Sequence, residues 1–140
     1  MIGGVEIPHT KGALGHSDAD VLLHAVCDAL LGALSLGDIG QHFPDSDKDL
    51  KNIKSRILLE KSFRLIREKG YRVINLDTVI CLEKPKIMSY AGAMRKLMAD
   101  ILEIGEEDVS VKATTAEKLG FVGREEGIMA QAVVLLQKPD

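Results

Sequence analysis

The sequence predicts an α+β fold, a mixed β-sheet with helices packed on one face. Three observations carry this reading. Stretches of alternating, β-branched character occupy residues 71–83, 109–115 and 128–138. Apolar residues recur at helical spacing over 17–35, 52–69 and 86–103. The last two strands follow one another with no helix between them, and together with the helix-separated strand before them they make the sheet mixed. At 140 residues the chain forms one domain, 1–140, with a sizeable core.

The elements follow in order. Residues 2–8 read as a short strand stopped by Pro8, and residues 9–16, with Gly12 and Gly15, as a loop. Ser17 with Asp20 three positions later is a capping-box pattern, so the first helix is expected to start there and run to about Ser35, ending at Leu-Gly-Asp-Ile-Gly. The polar stretch 41–52 is a loop. The second helix, 52–69, turns Ile53, Ile57, Leu58 and Leu65 inward, and Gly70 stands where a left-handed cap belongs. Lys84-Pro85-Lys86 breaks the following strand. The third helix, 86–103, is expected to turn Met88, Ala91, Met94, Leu97, Met98 and Leu102 inward. The next strand should end near Thr114, and 116–127 is a loop before the final strand.

Composition excludes several classes of function. The net charge is −3, there is no Trp, and only 4% of residues are aromatic, which argues against a base-stacking nucleic-acid surface. Any bound phosphate must therefore be held by a local cluster. No apolar run is long enough to span a bilayer, and the first residues lack the charged and apolar regions of a signal peptide. Cys27 and Cys81 lie far apart in apolar runs and match no metal or redox spacing, so they read as buried, reduced thiols of a cytoplasmic protein.

Four groups of residues have the chemistry of a site. Successive helical residues step by about 100°, which places Asp20, His24 and Asp28 on one stripe of an otherwise oily helix. His24 is either a core histidine satisfied by Asp20, Asp28 or a carbonyl, or a metal ligand. One imidazole alone holds no zinc, which needs roughly three or four ligands. His16 and Ser17 precede a helix N-terminus, where free N–H groups attract anions, and the same residues fit a plain cap. The loops Leu36–Gly40 and Phe43–Asp47 present three acids, suited to hydroxyls or divalent cations or simply to solvated turns. Thr114, Thr115 and Glu117 stand at a strand end between Lys112 and Lys118, where hydroxyls can donate to phosphate and a carboxylate can carry magnesium. Together these are the parts needed to handle a diphosphate with a divalent metal.

The blocks HSDAD, LGDIG, FPD and KATTAEKLGFVGREEGI, together with GGVEIPHTKGALG, resemble the family of the 2-C-methyl-D-erythritol 2,4-cyclodiphosphate synthases, and the similarity runs over essentially the whole chain. The resemblance implies an enzyme of non-mevalonate isoprenoid synthesis. Its members convert 4-diphosphocytidyl-2-C-methyl-D-erythritol 2-phosphate to the cyclic diphosphate and CMP. It further implies a homotrimer with active sites between subunits, using zinc and magnesium or manganese. Carried over by position, it implies that His24 binds zinc and Glu117 binds magnesium. His16 and Thr115 would steady the transition state. Ser17 would contact the substrate together with His16, and Thr114 would lie beside Thr115. Asp38, Ile39 and Gly40 would bind the methylerythritol hydroxyls, with Asp38 the main acceptor, and Phe43, Pro44, Asp45, Ser46 and Asp47 would line the same pocket. Leu82, Glu83, Lys84, Pro85, Lys86, Ile87 and Met88 would hold the cytidine end. Phe121 and Arg124 would lie near a cavity on the threefold axis. The family's Asp-x-His strand, which supplies two further zinc ligands, is absent upstream of His24. An N-terminal strand is therefore expected to be missing from this sequence. Two other functions use the same residues: a non-catalytic trimer binding an isoprenoid phosphate, and a metal-dependent phosphohydrolase.

Overall fold

A computed structural model describes residues 1–8, 20–44, 46–48 and 53–140. Its helices are α1 (Val21–Ala33), α2 (Ile39–His42), α3 (Ser55–Glu68), α4 (Ala91–Leu102) and α5 (Gly120–Gly123), and its strands are β1 (Arg72–Cys81), β2 (Val109–Thr114) and β3 (Met129–Gln137). The sheet order is β2-β1-β3, with β1 parallel to β2 and antiparallel to β3. The expected mixed sheet is present. The parallel pair is joined by α4, as a parallel connection requires, and β3 returns beside β1.

Alternation decides which face of the sheet is covered. Val73, Leu76, Thr78 and Ile80 of β1 are buried, and Ala130, Ala132, Val134 and Leu136 of β3 pack on the same core. Helices α1, α3 and α4 supply the other side through Leu22, Leu23, Val26, Leu30, Leu59, Ile66, Met94 and Met98. Each such large side chain contributes about 1.5–3 kcal/mol when fully buried. The opposite face keeps Asn75 and Asp77 exposed on β1, and Val133 and Leu135 of β3 are 71% and 56% exposed. Among the described residues, none covers this second face of the three-stranded sheet, which also bears Met129.

Several boundaries differ from the sequence-based expectations, each for a local reason. Residues 2–8 do not form a strand. Ile2 and Val5 bond to each other across a tight turn whose central residues, Gly3 and Gly4, have φ of 59° and 79°. Two successive left-handed residues suit glycine, and side chains of Met94 and Leu97 press where a Cβ would stand. The first helix is capped by Asp20 rather than Ser17. Asp20 is extended, its carboxylate accepts from Leu23 N–H, and the helix starts at Val21.

The second helix starts at Ser55. Its buried face is Ser55, Leu58, Leu59, Ser62, Phe63 and Ile66, so Ile57 and Leu65 are only half-buried. It ends as expected in a Schellman turn, with Gly70 at φ 86° and Tyr71 N–H reaching Ile66 O at 3.2 Å. Met88 is 55% exposed rather than inward, because it sits in a separate 3-10 turn, Met88–Tyr90, ahead of α4. The 116–127 loop contains the short helix α5.

Candidate active site

β1 and β2 run parallel, so their C-terminal ends leave the sheet together, with Cys81 beside Thr114. Leu82 N–H donates to Thr114 O at 2.9 Å and extends the pairing by one residue. The two chains then diverge into the Lys84-Pro85-Lys86 turn, whose Lys84–Pro85 bond is cis, and the Thr115–Lys118 loop. Ligands of open sheets collect at such strand ends.

The Thr115–Lys118 loop is held by a remote side chain. Glu83 Oε1 accepts from Ala116 N–H and from Lys118 N–H, both at 3.0 Å. Glu117 and Lys118 are left-handed, at φ 51° and 63°. That conformation costs a non-glycine residue about 1 kcal/mol or more and persists only where surrounding contacts enforce it. Two hydrogen bonds to an ionised acceptor are of sufficient strength to do so. Within the loop, Thr115 Oγ1 accepts from Glu117 N–H at 3.2 Å. One lone pair is thereby used while the hydroxyl proton stays available to donate. Thr114 Oγ1 donates to Thr115 O at 3.3 Å. Thr114, Thr115 and Glu117 are all exposed. The strand end thus offers a hydroxyl donor and a carboxylate two residues apart on a constrained backbone.

A second set of polar residues runs along α1 to its junction with α2. The side chains of the three polar residues of the α1 stripe each take partners elsewhere in the fold. Asp20 is fully buried and accepts from Gly3 N–H (2.9 Å), Gly4 N–H (2.7 Å) and Leu23 N–H (3.0 Å). Exposed Asp28 accepts from Ile39 N–H at 2.9 Å and so ties the start of α2 to α1. Between them, His24 is half-buried, with Nε2 2.9 Å from Ser55 Oγ on α3. Asp38 caps α2 in a reciprocal box: its Oδ1 accepts from Gln41 N–H at 3.0 Å, and Gln41 Oε1 accepts from Asp38 N–H at 3.1 Å. Gly40, Pro44, Ser46 and Asp47 are exposed beyond it, and Phe43 is half-buried. His16, Ser17 and Asp45 lie outside the described residues.

The remaining expected site residues are divided between core and surface. Leu82 and Ile87 are buried core members, so a ligand could meet them only through their backbone. Lys84, Lys86 and Met88 are exposed. Lys112 is committed to Asp77, 3.0 Å away across the outer face of the sheet, and this bond holds the Asp77 carboxyl below its usual range. Phe121 is 46% exposed, and Arg124 pairs with Glu126 at 2.7 Å, which raises the guanidinium further. A cleft of about 340 Å³ between α3 and α4, lined by Glu60, Phe63, Arg64, Arg67, Ile101 and Glu103, holds none of the expected residues.

The donor sets differ in what metal they can take. Among the described residues no three His, Cys, Asp or Glu side chains converge. His24 is then a single imidazole, and the described residues alone do not complete a zinc centre. Magnesium retains several waters and takes one or two carboxylates plus substrate phosphates. An exposed Glu117 beside the Thr115 hydroxyl meets that demand.

Sequence reasoning missed three contributors: Ser55 as the partner of His24, Asp28 as the tie to α2, and Glu83 as the clamp of the Thr115–Lys118 loop. The Asp38–Gln41 box was visible as an Asp-x-x-Gln spacing. The other three pairings span 11 to 35 positions, and no local pattern marks them.

A profile described as the YgbB family matches residues 1–137. The 2-C-methyl-D-erythritol 2,4-cyclodiphosphate synthase of Fusobacterium nucleatum subsp. nucleatum is 57% identical over 138 residues, which span 99% of this chain and 86% of that protein. Among solved structures, the bifunctional IspDF from Campylobacter jejuni superposes with a TM-score of 0.94 at 43% identity, covering 100% of this chain and 38% of that one. A 2C-methyl-D-erythritol-2,4-cyclodiphosphate synthase in its CDP-bound form superposes with a TM-score of 0.90 at 33% identity, covering 98% of this chain and 89% of that one. With its sheet, its strand-end loop and its capped α2 corner matched along nearly its whole length, the chain belongs to the YgbB family.

Proposed function

We propose that the chain is a 2-C-methyl-D-erythritol 2,4-cyclodiphosphate synthase, acting in non-mevalonate isoprenoid synthesis. In this reaction the 2-phosphate of 4-diphosphocytidyl-2-C-methyl-D-erythritol 2-phosphate attacks the β-phosphorus, the bond to the α-phosphate oxygen breaks, and CMP leaves. Formally this is a phosphorus–oxygen lyase reaction. The observation that carries the reading is the 57% identity, over 99% of the chain, to a relative with that name.

The chain's own groups suit the reaction. Two anionic phosphates must meet, so the site has to fix geometry and supply donors where charge spreads. The Thr115 hydroxyl, one lone pair occupied by Glu117 N–H, keeps its proton to donate. His16, outside the described residues, would be the second donor. Lys84 and Lys86 flank the turn proposed for the cytidine end, and the CDP-bound form of a relative supports a cytidine diphosphate as the kind of ligand bound. Asp38, Ile39, Gly40 and residues 43–47 would take the methylerythritol hydroxyls. Holding both phosphates of one molecule in place can contribute as much as ~7–11 kcal/mol toward the barrier. Neither a protein nucleophile nor a general base is required.

Glu117 would hold magnesium or manganese, which neutralises diphosphate charge when bound. His24 would be one zinc ligand. Ser55 Oγ and a metal cannot share Nε2, so zinc would take the other ring nitrogen or displace the serine. A homotrimer with sites between subunits is supported by the uncovered sheet face bearing Met129, Val133 and Leu135. In such an assembly the α1–α2 corner of one subunit and the strand end of another would complete one site. Both cysteines are free, which suits the reducing cytoplasm, and no described helix is long and apolar enough to cross a membrane.

Incubation with the cytidylylated substrate tests the reading. Cyclic diphosphate with CMP is the expected result. Inorganic phosphate would instead identify a hydrolase, and ligand binding without turnover a binding protein.

A further inference from the structure

We propose that Glu83 is a positioning residue that holds the phosphate-handling loop in its working shape, rather than a group that contacts the nucleotide. The inference rests on the synthase reading above for its functional consequence, but its geometry stands on its own. Glu83 leaves β1 just past the point where Cys81 pairs with Thr114, and its side chain reaches across to the exit of β2. A single oxygen, Oε1, accepts from Ala116 N–H and Lys118 N–H, each at 3.0 Å. Those two donors flank Glu117, whose own N–H goes to Thr115 Oγ1. Three successive backbone amides are therefore spoken for, two by Glu83 and one by Thr115.

Consecutive backbone amides in a turn with left-handed residues form a concavity that attracts anions. Here Glu117 and Lys118 are left-handed and the anion is built in. The Glu83 carboxylate fills the place a phosphate oxygen could otherwise take. Two consequences follow. The loop amides are unavailable to a diphosphate, which must be met by the Thr115 hydroxyl and by whatever cation Glu117 holds. The Glu117 side chain is also carried on a backbone whose shape is set from the neighbouring strand. Because Glu83 sits in the Leu82–Met88 turn, it links the segment proposed for the cytidine end to the segment proposed for the diphosphate.

The test compares Glu83→Ala with Glu83→Gln. Glutamine keeps a side-chain oxygen that can accept both bonds; alanine keeps none. In Glu83→Ala, amide hydrogen exchange at Ala116 and Lys118 should quicken by about tenfold or more. Half-saturation by Mn²⁺, read by its electron paramagnetic resonance signal, should rise by a similar factor. The kcat should fall about tenfold, by more than KM rises, since loop geometry matters most where charge develops. Glu83→Gln should stay within about threefold of wild type in all three, a tenfold effect being about 1.4 kcal/mol.

Unchanged amide exchange in a folded Glu83→Ala protein overturns the proposal. So does a Glu83→Gln variant as impaired as Glu83→Ala, because that would assign the effect to charge acting directly on ligand or metal. If wild type makes no cyclic diphosphate while the Ala116 and Lys118 amides lose protection in Glu83→Ala, the synthase reading falls and the placement stands.

Discussion

The corner between α1 and α2 and the exit of β2 both display acids in glycine-bearing loops, yet they use those acids in opposite ways. At the corner, as at the far end of α1, the carboxylates are consumed by the backbone. Asp20 takes three N–H groups, Asp28 takes Ile39 N–H, and one oxygen of Asp38 takes Gln41 N–H. At the strand exit the backbone is served by Glu83, and Glu117 extends into solvent from a restrained left-handed position. A carboxylate spent on amides secures shape. A carboxylate whose neighbours have already been secured is free for chemistry. Proximity to a turn distinguishes neither case; the destination of the nearby amides does.

Substitutions can break or sharpen this contrast. The largest effect is expected at the exposed acid. Glu117→Gln should lower turnover by about 100-fold or more, the scale on which groups serving developing charge act, and should leave the thermal midpoint within about a degree or two, as surface changes do. Unchanged turnover at ordinary magnesium would remove Glu117 from the metal role and erase the contrast.

The reverse pattern is expected at Asp20. Asp20→Ala strands buried donors and should cost about 3 kcal/mol or more in urea unfolding. A well-folded Asp20→Ala protein of near-wild-type stability would show that the Gly3–Gly4 turn does not depend on it. Asp28→Ala, at an exposed site, should cost only about 1 kcal/mol, with added exchange at the Ile39 amide as its signature.

Smaller effects test the interior. Burial pushes the Cys27 thiol up to about 12, against a weaker opposing pull from Ser62. Cys27 should therefore resist alkylation at neutral pH while half-buried Cys81 reacts first, as mass spectrometry after timed labelling can show. Because the neutral thiol is favoured in the fold, its contribution to stability is complete below about pH 8.5 and is lost as pH rises toward about 12. The smallest effect belongs to the Asp77–Lys112 pair on the open sheet face. It should contribute about 0–1 kcal/mol, present at neutral pH and lost as acid carries Asp77 through its lowered titration. Breaking it with Asp77→Asn should move the urea midpoint barely at all.

The extent to which the sequence revealed the molecule follows from how far each determinant reaches. Strands β1, β2 and β3 were legible because alternation is written in adjacent residues, and the end of α3 because Gly70 is the residue a Schellman turn needs. The start of α1 was misplaced. Ser17 and Asp20 are both good caps, and the choice fell to Asp20, whose carboxylate also closes on a turn 16 and 17 residues earlier. The candidate site was legible as a set of residue types, since hydroxyls and acids at a strand end suggest phosphate chemistry on their own. Its organisation was not. Glu83 meets Ala116 and Lys118 only because β1 and β2 are in parallel register, a fact about the sheet and not about either segment.

The side-by-side exit of β1 and β2 also bears on how the molecule comes together. One half of the proposed strand-end site is contributed before α4 and the other half after it, so neither half exists as a recognisable surface until the intervening helix has docked and the parallel ladder has closed. A nucleotide analogue should therefore be blind to any partly assembled chain. Its capture would report the last cooperative event of folding, and ligand uptake during refolding should lag behind the recovery of helical signal.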